Sequence, residues 1–283
     1  MRLTQADLLR NYIFMSLPHE QQDDVYNKLW LPLQIQFRDH EGRLEDFFRH
    51  ELQCKGVFVR ESDVYTEWKS DLTGKSPTAL ISILGTLSQE SLLFLRLVDP
   101  QREPHTGVAE RLRRLNRWGA ETIFPLLLNI YKSYAAEKLS PEGFIDILAT
   151  IESFLVRRFF AGVPTNQLNK LFLALFRQLP SDIPIAQAIR TILSEPSRRW
   201  PTDDEFSSAI QRFPLYQNGR AEQRRLIIET FAKKSCGREI PDLSRLAIEH
   251  ILPQNLTNAW HVALERTERR PLHEFQNEVD RVT

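Results

Sequence analysis

Apolar residues that recur at three- and four-residue steps between helix caps constrain this chain most strongly. In the clearest stretch, Ser140-Pro141-Glu142 supplies an N-cap, a proline at the first helical position and an acidic first turn. The apolar side chains that follow share one helical face: Phe144, Ile147, Leu148, Ile151, Phe154 and Leu155. Gly162 follows this run, where helices often end. The pattern predicts a long amphipathic helix.

Similar helix signals recur along most of the 283 residues. Two capping boxes, Thr4-Gln5-Ala6-Asp7 and Thr202-Asp203-Asp204-Glu205, each predict a helix start. Pro77 can begin a long apolar helix, residues 57–69 read as a helix, and Thr165 is placed to cap another. Sustained two-residue alternation does not occur in the sequence. We therefore predict an all-α multi-helix bundle, with less than roughly a tenth of its residues in strands.

One stretch breaks the helical pattern. Residues 246–253 (Leu-Ala-Ile-Glu-His-Ile-Leu-Pro) are apolar apart from Glu249 and His250, and Pro253 cannot continue a regular helix. The stretch predicts a strand or extended segment that ends near His250. A loop and a helix from about Thr257 are expected to follow.

Composition and charge exclude several classes of protein. The 37 basic residues balance 37 acidic ones, so the whole chain has no basic footprint of the kind that coats nucleic acid. The N-terminal residues lack the apolar core of a secretory signal, and uninterrupted apolar runs fall short of the roughly 20 residues that span a bilayer. Cys54 and Cys236 form neither a zinc motif nor a disulfide framework. A cytoplasmic protein without a membrane is expected.

Glu249-His250 is the candidate catalytic pair. In a metal-dependent nuclease, an acidic residue can hold a divalent cation while a neighbouring histidine takes a proton from the attacking water. Histidine suits this role because its pKa lies near neutral pH. Spacing alone favours a structural alternative, in which His250 is half-buried with a hydrogen-bond partner and Glu249 is solvated. His261 and His273 are further candidate metal ligands, with surface histidines as the simpler interpretation.

Two arginine-rich stretches have competing interpretations. Arg111, Arg113, Arg114 and Arg117 could form a phosphate-binding stripe, but a solvated face paired with acids is simpler in a neutral chain. The pair at residues 157–158 ends an apolar helix, where cations favour the helix dipole.

Four stretches, taken in order, resemble the GmrSD-type modification-dependent restriction endonucleases. Residues 248–254 (Ile-Glu-His-Ile-Leu-Pro-Gln) resemble the start of the family's HNH-like nuclease domain. Residues 3–12 (Leu-Thr-Gln-Ala-Asp-Leu-Leu-Arg-Asn-Tyr) are similar to the segment that closes its ParB-like nucleotide-binding domain. Residues 152–158 (Glu-Ser-Phe-Leu-Val-Arg-Arg) resemble its central helical signature, and residues 201–206 (Pro-Thr-Asp-Asp-Glu-Phe) the opening of its next helices.

The resemblance implies a division of the chain into three parts. Residues 1–18 would be the last helix of an incomplete nucleotide-binding domain, with Asp7 and Asn11 at the rim of the nucleotide site. Residues 19–245 would form the helical middle domain. Residues 246–283 would begin an HNH-like domain as a partial ββα segment. Because the family's Asp-Gly-Gln-Gln-Arg string does not occur in the sequence, we expect an internal fragment that alone hydrolyses neither nucleotide nor DNA.

For the full-length protein, the resemblance implies nucleotide-coupled cleavage of modified phage DNA. His250 would be the general base and Glu249 would lie at the metal, as one ligand of an incomplete site. The implied cofactors are a divalent metal, Mg²⁺ in the first place, and a nucleoside triphosphate, neither held tightly by this chain. DNA is the implied partner, and homo-oligomerisation stays open. The rival interpretations are a non-catalytic helical interaction or regulatory module, and a transcription or repair factor with arginine-rich helices on DNA.

Overall fold

The computed structural model of the chain describes residues 3–180, 182–235, 257–259 and 262. These residues form two compact units. Unit 1 lies within Met1–Ser153 and Pro164–Arg198, and unit 2 lies within Phe154–Val163 and Arg199–Thr283. Every regular element in the described part of the chain is helical, which confirms the all-α prediction. The predicted extended segment at 246–253 lies outside the described residues.

Unit 1 consists of helices joined by short turns. Its helices are α1 (Gln5–Met15), α2 (His19–Val25), α3 (Leu31–Gln36), α4 (Arg43–Gln53), α5 (Val64–Leu72), α6 (Pro77–Val98), α7 (Thr106–Trp118), α8 (Phe124–Ala135), the first part of α9 (Pro141–Phe160), α10 (Leu168–Leu175) and α11 (Ile185–Leu193). The last residues of α9 belong to unit 2, which also contains α12 (Asp203–Ile210), α13 (Leu215–Asn218) and α14 (Ala221–Ser235).

A widened helical turn joins α2 to α3. Tyr26–Trp30 form a π-helical turn, in which the backbone N–H of Leu31 donates to the carbonyl oxygen of Tyr26, five residues earlier. Pro32 follows at the start of α3. Since a proline ring clashes with the carbonyl group four residues before it in a regular α-helix, the wider turn relieves that clash and keeps the helix continuous from His19 to Gln36.

An aromatic cluster holds α4 and α6 together in the core of unit 1. Phe47, Phe48 and Phe94 are fully buried. The ring centroids of Phe47 and Phe94 lie 5.7 Å apart, and Trp30 stacks on Phe48 at 5.9 Å. Aromatic pairs in such geometries contribute about 0.5–1.5 kcal/mol each beyond the burial of their surface.

Among the described helices, only α6 is long and apolar enough to cross a membrane on length and composition. Leu80, Leu84, Phe94 and Leu97 of this helix are buried within unit 1. A core helix passes the same test, so one such helix is weak evidence for a membrane.

Most helix starts and ends agree with the local sequence signals. Both capping boxes form, with Thr4 and Thr202 as the N-caps of α1 and α12. The hydroxyl oxygen of Ser140 accepts from the backbone N–H of Gly143 at 3.1 Å, and α9 begins at Pro141 as predicted. Gly162 adopts φ +66°, the left-handed conformation expected of a residue that ends a helix.

One local prediction was wrong in its starting residue, and a second was wrong altogether. Residues 57–60 are not helical, and α5 begins only at Val64. Gly56, at φ +81°, ends the turn after α4, and the non-helical residues that follow leave Val57 exposed, so the apolar spacing of residues 57, 64 and 68 did not mark one helix face. Thr165 is not a helix cap: α10 begins at Leu168 with Gln167 as its N-cap, and the backbone N–H of Leu168 closes a tighter turn onto the carbonyl oxygen of Thr165.

Candidate functional site

Two of the stretches that carry the family resemblance meet in unit 2. Arg158, near the end of α9, is buried, and its Nη1 donates to the backbone carbonyl oxygen of Arg199 at 3.3 Å. Its guanidinium also lies 5.1 Å from the ring centroid of Phe154. Burial, together with the charge of Arg199, lowers the pKa of Arg158. The side chain therefore holds the backbone that leads into α12 against the end of α9.

Arg157 makes a second set of contacts to the same backbone. Its Nη1 donates to the carbonyl oxygen of Pro201 at 3.2 Å, and its Nη2 pairs with the carboxylate of Asp203 in the first turn of α12. Its guanidinium lies 5.1 Å from the ring centroid of Phe206. The side chain of Asp203 is 90% exposed, so this ion pair contributes little by itself. The hydrogen bond to the carbonyl oxygen of Pro201 and the contact with the ring of Phe206 contribute more to holding this backbone.

Aromatic rings complete this packing in unit 2. Phe160 lies 5.7 Å from Phe206 and 5.1 Å from Phe213, and Phe159 lies 4.7 Å from Phe213, measured between ring centroids. Trp200 contacts Phe154 edge to face at 5.7 Å. Residues 199–213 are therefore packed on the last two turns of α9 by two arginines and a cluster of rings.

The arginine stripe on α7 pairs with acids, as its simpler interpretation predicted. Glu152 is buried and accepts from Nη1 of Arg111 at 3.2 Å and from Nε of Arg114 at 2.7 Å. Arg113 pairs with Glu110 one turn earlier on the same helix. These three guanidinium groups neutralise carboxylates within unit 1, which argues against a phosphate-binding stripe.

Asp7 and Asn11, the predicted rim of a nucleotide site, both lie on α1. The carboxylate of Asp7 accepts from the backbone N–H of Thr4 at 3.1 Å and pairs with Arg10 at 3.2 Å. Asn11 is exposed, and its amide oxygen accepts from Nε of Arg10 at 3.4 Å. The contacts of Asp7 are those of a helix cap, and the nucleotide role of both residues stays a prediction.

The candidate nuclease residues Glu249 and His250, together with His261 and His273, lie outside the described residues. Within the described ranges, no group of three or more His, Cys, Asp or Glu side chains is placed to hold a metal ion. The metal and general-base roles of these residues stay predictions.

A cavity of about 200 Å³ opens in unit 1, and no sequence motif predicted it. It is lined by Arg49, His50 and Gln53 of α4, by the ring of Phe58, and by Asn169 on α10. His50 is buried, and its Nδ1 lies 3.0 Å from the amide oxygen of Gln53. Burial, with a smaller contribution from the charge of Arg49, lowers the pKa of His50 to about 4. The ring is therefore neutral near pH 7.

A buried cluster of ionisable groups lies on the other side of α4. Lys132 of α8 donates to Glu51 at 2.7 Å and lies 3.0 Å from Glu90 of α6. Burial raises the pKa of Glu51 to about 7, against the opposing charge of Lys132. Burial also raises the pKa of the Cys54 thiol, which argues against a reactive thiolate at that position.

The described helices place the chain in the all-α class. Within unit 2, residues 199–213 pack on the last two turns of α9. Residues 200–279 match the family described as GmrSD restriction endonucleases, C-terminal domain. The matched segment is under a third of the chain and is consistent with a GmrSD-type family member, which confirms the resemblance seen in the sequence. No curated protein and no solved structure matches the chain.

The position of the match adds to the sequence interpretation. It begins at residue 200, within the segment assigned from the sequence to the helical middle, and it includes Glu249 and His250. Its first residues coincide with the backbone that Arg157 and Arg158 hold. The residues that pack the start of this domain therefore come partly from α9, upstream of the match.

Proposed function

We propose that this chain is a helical fragment of a nucleotide-dependent restriction endonuclease that cleaves modified phage DNA. The observation that carries the proposal is the family match over residues 200–279, which contains the Glu249-His250 pair. DNA is accordingly the proposed partner, and the cytoplasm, where phage DNA enters, is the proposed location.

His250 is the proposed general base. Its imidazole takes a proton from the water that attacks the phosphodiester, because histidine accepts protons near neutral pH. The carboxylate of Glu249 offers oxygen, the ligand type that Mg²⁺ binds, so this residue suits a divalent metal. The metal, when bound, neutralises charge on the phosphate in the transition state. A nucleoside triphosphate near Asp7 and Asn11 remains part of the proposal through the sequence resemblance alone.

The test is restriction of phage by cells that carry the gene in its own chromosomal context. We expect phages with modified bases to plate poorly, and phages with unmodified bases to plate normally. His250→Ala should raise plating of the modified phages by roughly a hundredfold or more, the usual scale for loss of a general base. His19→Ala is the matched control, because His19 is an exposed histidine at the start of α2.

Three results would count against the proposal. Equal plating of both phage types would contradict the proposal that modified DNA is the substrate. Full restriction by the His250→Ala variant would make Glu249-His250 structural and favour a non-catalytic helical interaction module. Loss of restriction together with loss of the protein from the soluble fraction would place His250 in a core instead of an active site.

A further inference from the structure

We propose that the cavity in unit 1 binds a nucleobase: a neutral, planar ring with both donors and acceptors on its edge. The proposal deepens the proposed function, because an enzyme that acts on modified DNA needs a place that reads a base. The free nucleoside and a base extruded from a DNA strand share this chemistry, and the experiment below separates them.

The acceptor in the cavity is fixed by a short hydrogen-bond chain. The amide nitrogen of Gln53 donates to the backbone carbonyl oxygen of Val59 at 3.1 Å, so its amide oxygen faces His50. That oxygen accepts from Nδ1 of the neutral His50 ring, which places the proton on Nδ1 and leaves a lone pair on Nε2. Within the described residues, Nε2 has no hydrogen-bond partner, and His50 lines the cavity. A ring N–H or an amino group of a ligand would donate a hydrogen bond to this Nε2 atom.

A donor accompanies this acceptor. Arg49 lines the same cavity, and its Nη1 and Nη2 bond Glu61 at 2.8 Å and Asp46 at 2.6 Å. Its Nε is buried and has no hydrogen-bond partner in the described part of the chain. Because Nε has almost no accessible surface, the donors available to a ligand are the side-chain amide of Asn169 and the hydroxyl of Thr122, which also line the cavity. Donors and an acceptor in one cavity match the hydrogen-bonding edge of a nucleobase.

Charge around the cavity argues for a neutral ligand. Two carboxylates, those of Asp46 and Glu61, already pair with Arg49. The carboxylate of Glu121, another lining residue, is held by Arg43 through Nη2 at 2.8 Å and Nη1 at 3.3 Å. The Arg43 hydrogen bond lowers the pKa of Glu121 and keeps it ionised. Since the guanidinium groups are occupied by carboxylates, neither a phosphate nor an ammonium group finds a free counter-charge here.

Size and shape favour a single flat ring system. The cavity volume of about 200 Å³ is below the roughly 300 Å³ at which pockets for drug-sized ligands begin. Phe58 lines the cavity yet is 59% exposed, so one large part of its ring is open to a partner. Pro125 and Leu173 add apolar wall. Bases stack on such exposed aromatic rings, and enzymes that act on bases hold an extruded base between apolar groups.

The experiment measures binding of the four deoxynucleosides, and of a short single-stranded oligonucleotide, to the purified full chain by equilibrium dialysis. Phe58→Ala should weaken binding by roughly 5- to 150-fold, the range that follows from losing one base–aromatic stack. Phe231→Ala is the matched control, because it removes an equally exposed phenylalanine, 56% exposed, from unit 2. The control should bind as the parent chain does. Thermal melting confirms that both variants fold.

The outcomes distinguish a free nucleoside from a base presented by a DNA strand, and they distinguish the cavity proposal from the proposed function. Binding of nucleosides and oligonucleotide, lost in Phe58→Ala, supports a free-base pocket; binding of the oligonucleotide alone, lost in the same variant, supports a base presented by a strand. Absence of binding for every probe at millimolar concentration overturns the inference, as does equal binding by the parent and Phe58→Ala. Nucleoside binding does not depend on DNA cleavage. The binding result can therefore support this cavity even if the His250→Ala restriction test contradicts the proposed function.

Discussion

Replacing Arg158 by Met keeps a long apolar side chain and removes the guanidinium that holds the start of the matched domain. The variant loses the hydrogen bond to the carbonyl oxygen of Arg199 at 3.3 Å and the contact with the ring of Phe154 at 5.1 Å. A hydrogen bond from a charged donor contributes about 1.5–3 kcal/mol. A partly desolvated cation–π contact adds about 0.5–2 kcal/mol.

These contributions are opposed by the cost of burying a charge. The lowered pKa of Arg158 shows that burial disfavours its charged form, and Met carries no such penalty. We therefore expect a net loss of about 1–3 kcal/mol in the local stability of unit 2.

Hydrogen–deuterium exchange measured by mass spectrometry can localise this loss. Amides in residues 199–210 should exchange roughly 5- to 150-fold faster in Arg158→Met, while amides of α8, which lies in unit 1, should be unchanged. Arg113→Met is the matched control. It removes a guanidinium whose ion pair with Glu110 is exposed and lies in unit 1, for which about 0–1 kcal/mol is expected. Unchanged exchange in residues 199–210 would refute the reasoning. Equally faster exchange everywhere would show that Arg158 stabilises the whole chain.

Two further predictions concern unit 1. Burial raises the pKa of Glu51 to about 7 in the folded chain. The protonated side chain is therefore favoured by folding at low pH, and this contribution to the stability of the folded chain is lost as pH rises through 7. Gln does not ionise, so the difference in unfolding free energy between Glu51→Gln and the parent should shift in favour of the variant by on the order of 2 kcal/mol from pH 5 to pH 8. Urea denaturation at the two pH values measures this difference, and a difference that does not change with pH would contradict the prediction. Gly56→Ala should lower the melting temperature more than Gly74→Ala. Both glycines have positive φ, at +81° and +77°, but an added Cβ meets the side chain of Arg177 only at Gly56. Equal melting temperatures would show that the Arg177 contact has no cost.

The sequence predicted features whose causes are local. The capping boxes at Thr4 and Thr202 and the proline start of α9 depend on neighbours within three or four residues, and each formed as predicted. The helix predicted over residues 57–69 forms only from Val64 onward, which shows the limit of periodicity. Gly56 turns the chain, and nothing in the spacing of apolar residues revealed the positive φ that this turn requires.

The candidate sites depended on contacts that sequence patterns do not show. The sequence marked Arg157 and Arg158 as cations at a helix end and as part of a family signature, but it did not reveal their partners, because the backbone they hold lies about 40 residues further along the chain. The cavity around His50 was missed for a similar reason. A histidine followed three residues later by Gln53 is a common helix pairing, and only packing against Phe94 and Phe124 makes it a buried neutral acceptor.

The π-helical turn at Tyr26–Trp30 has a consequence for comparing this chain with its relatives. A π-turn closes its hydrogen bond over one residue more than an α-turn does, so it accommodates a single-residue insertion without breaking the helix. Relatives that lack a proline at the position of Pro32 have no clash to relieve and are expected to be one residue shorter between positions 26 and 30. An alignment that forbids a gap there would place Trp30, which is buried, opposite a residue on a different helix face, and would misassign every buried position of α3.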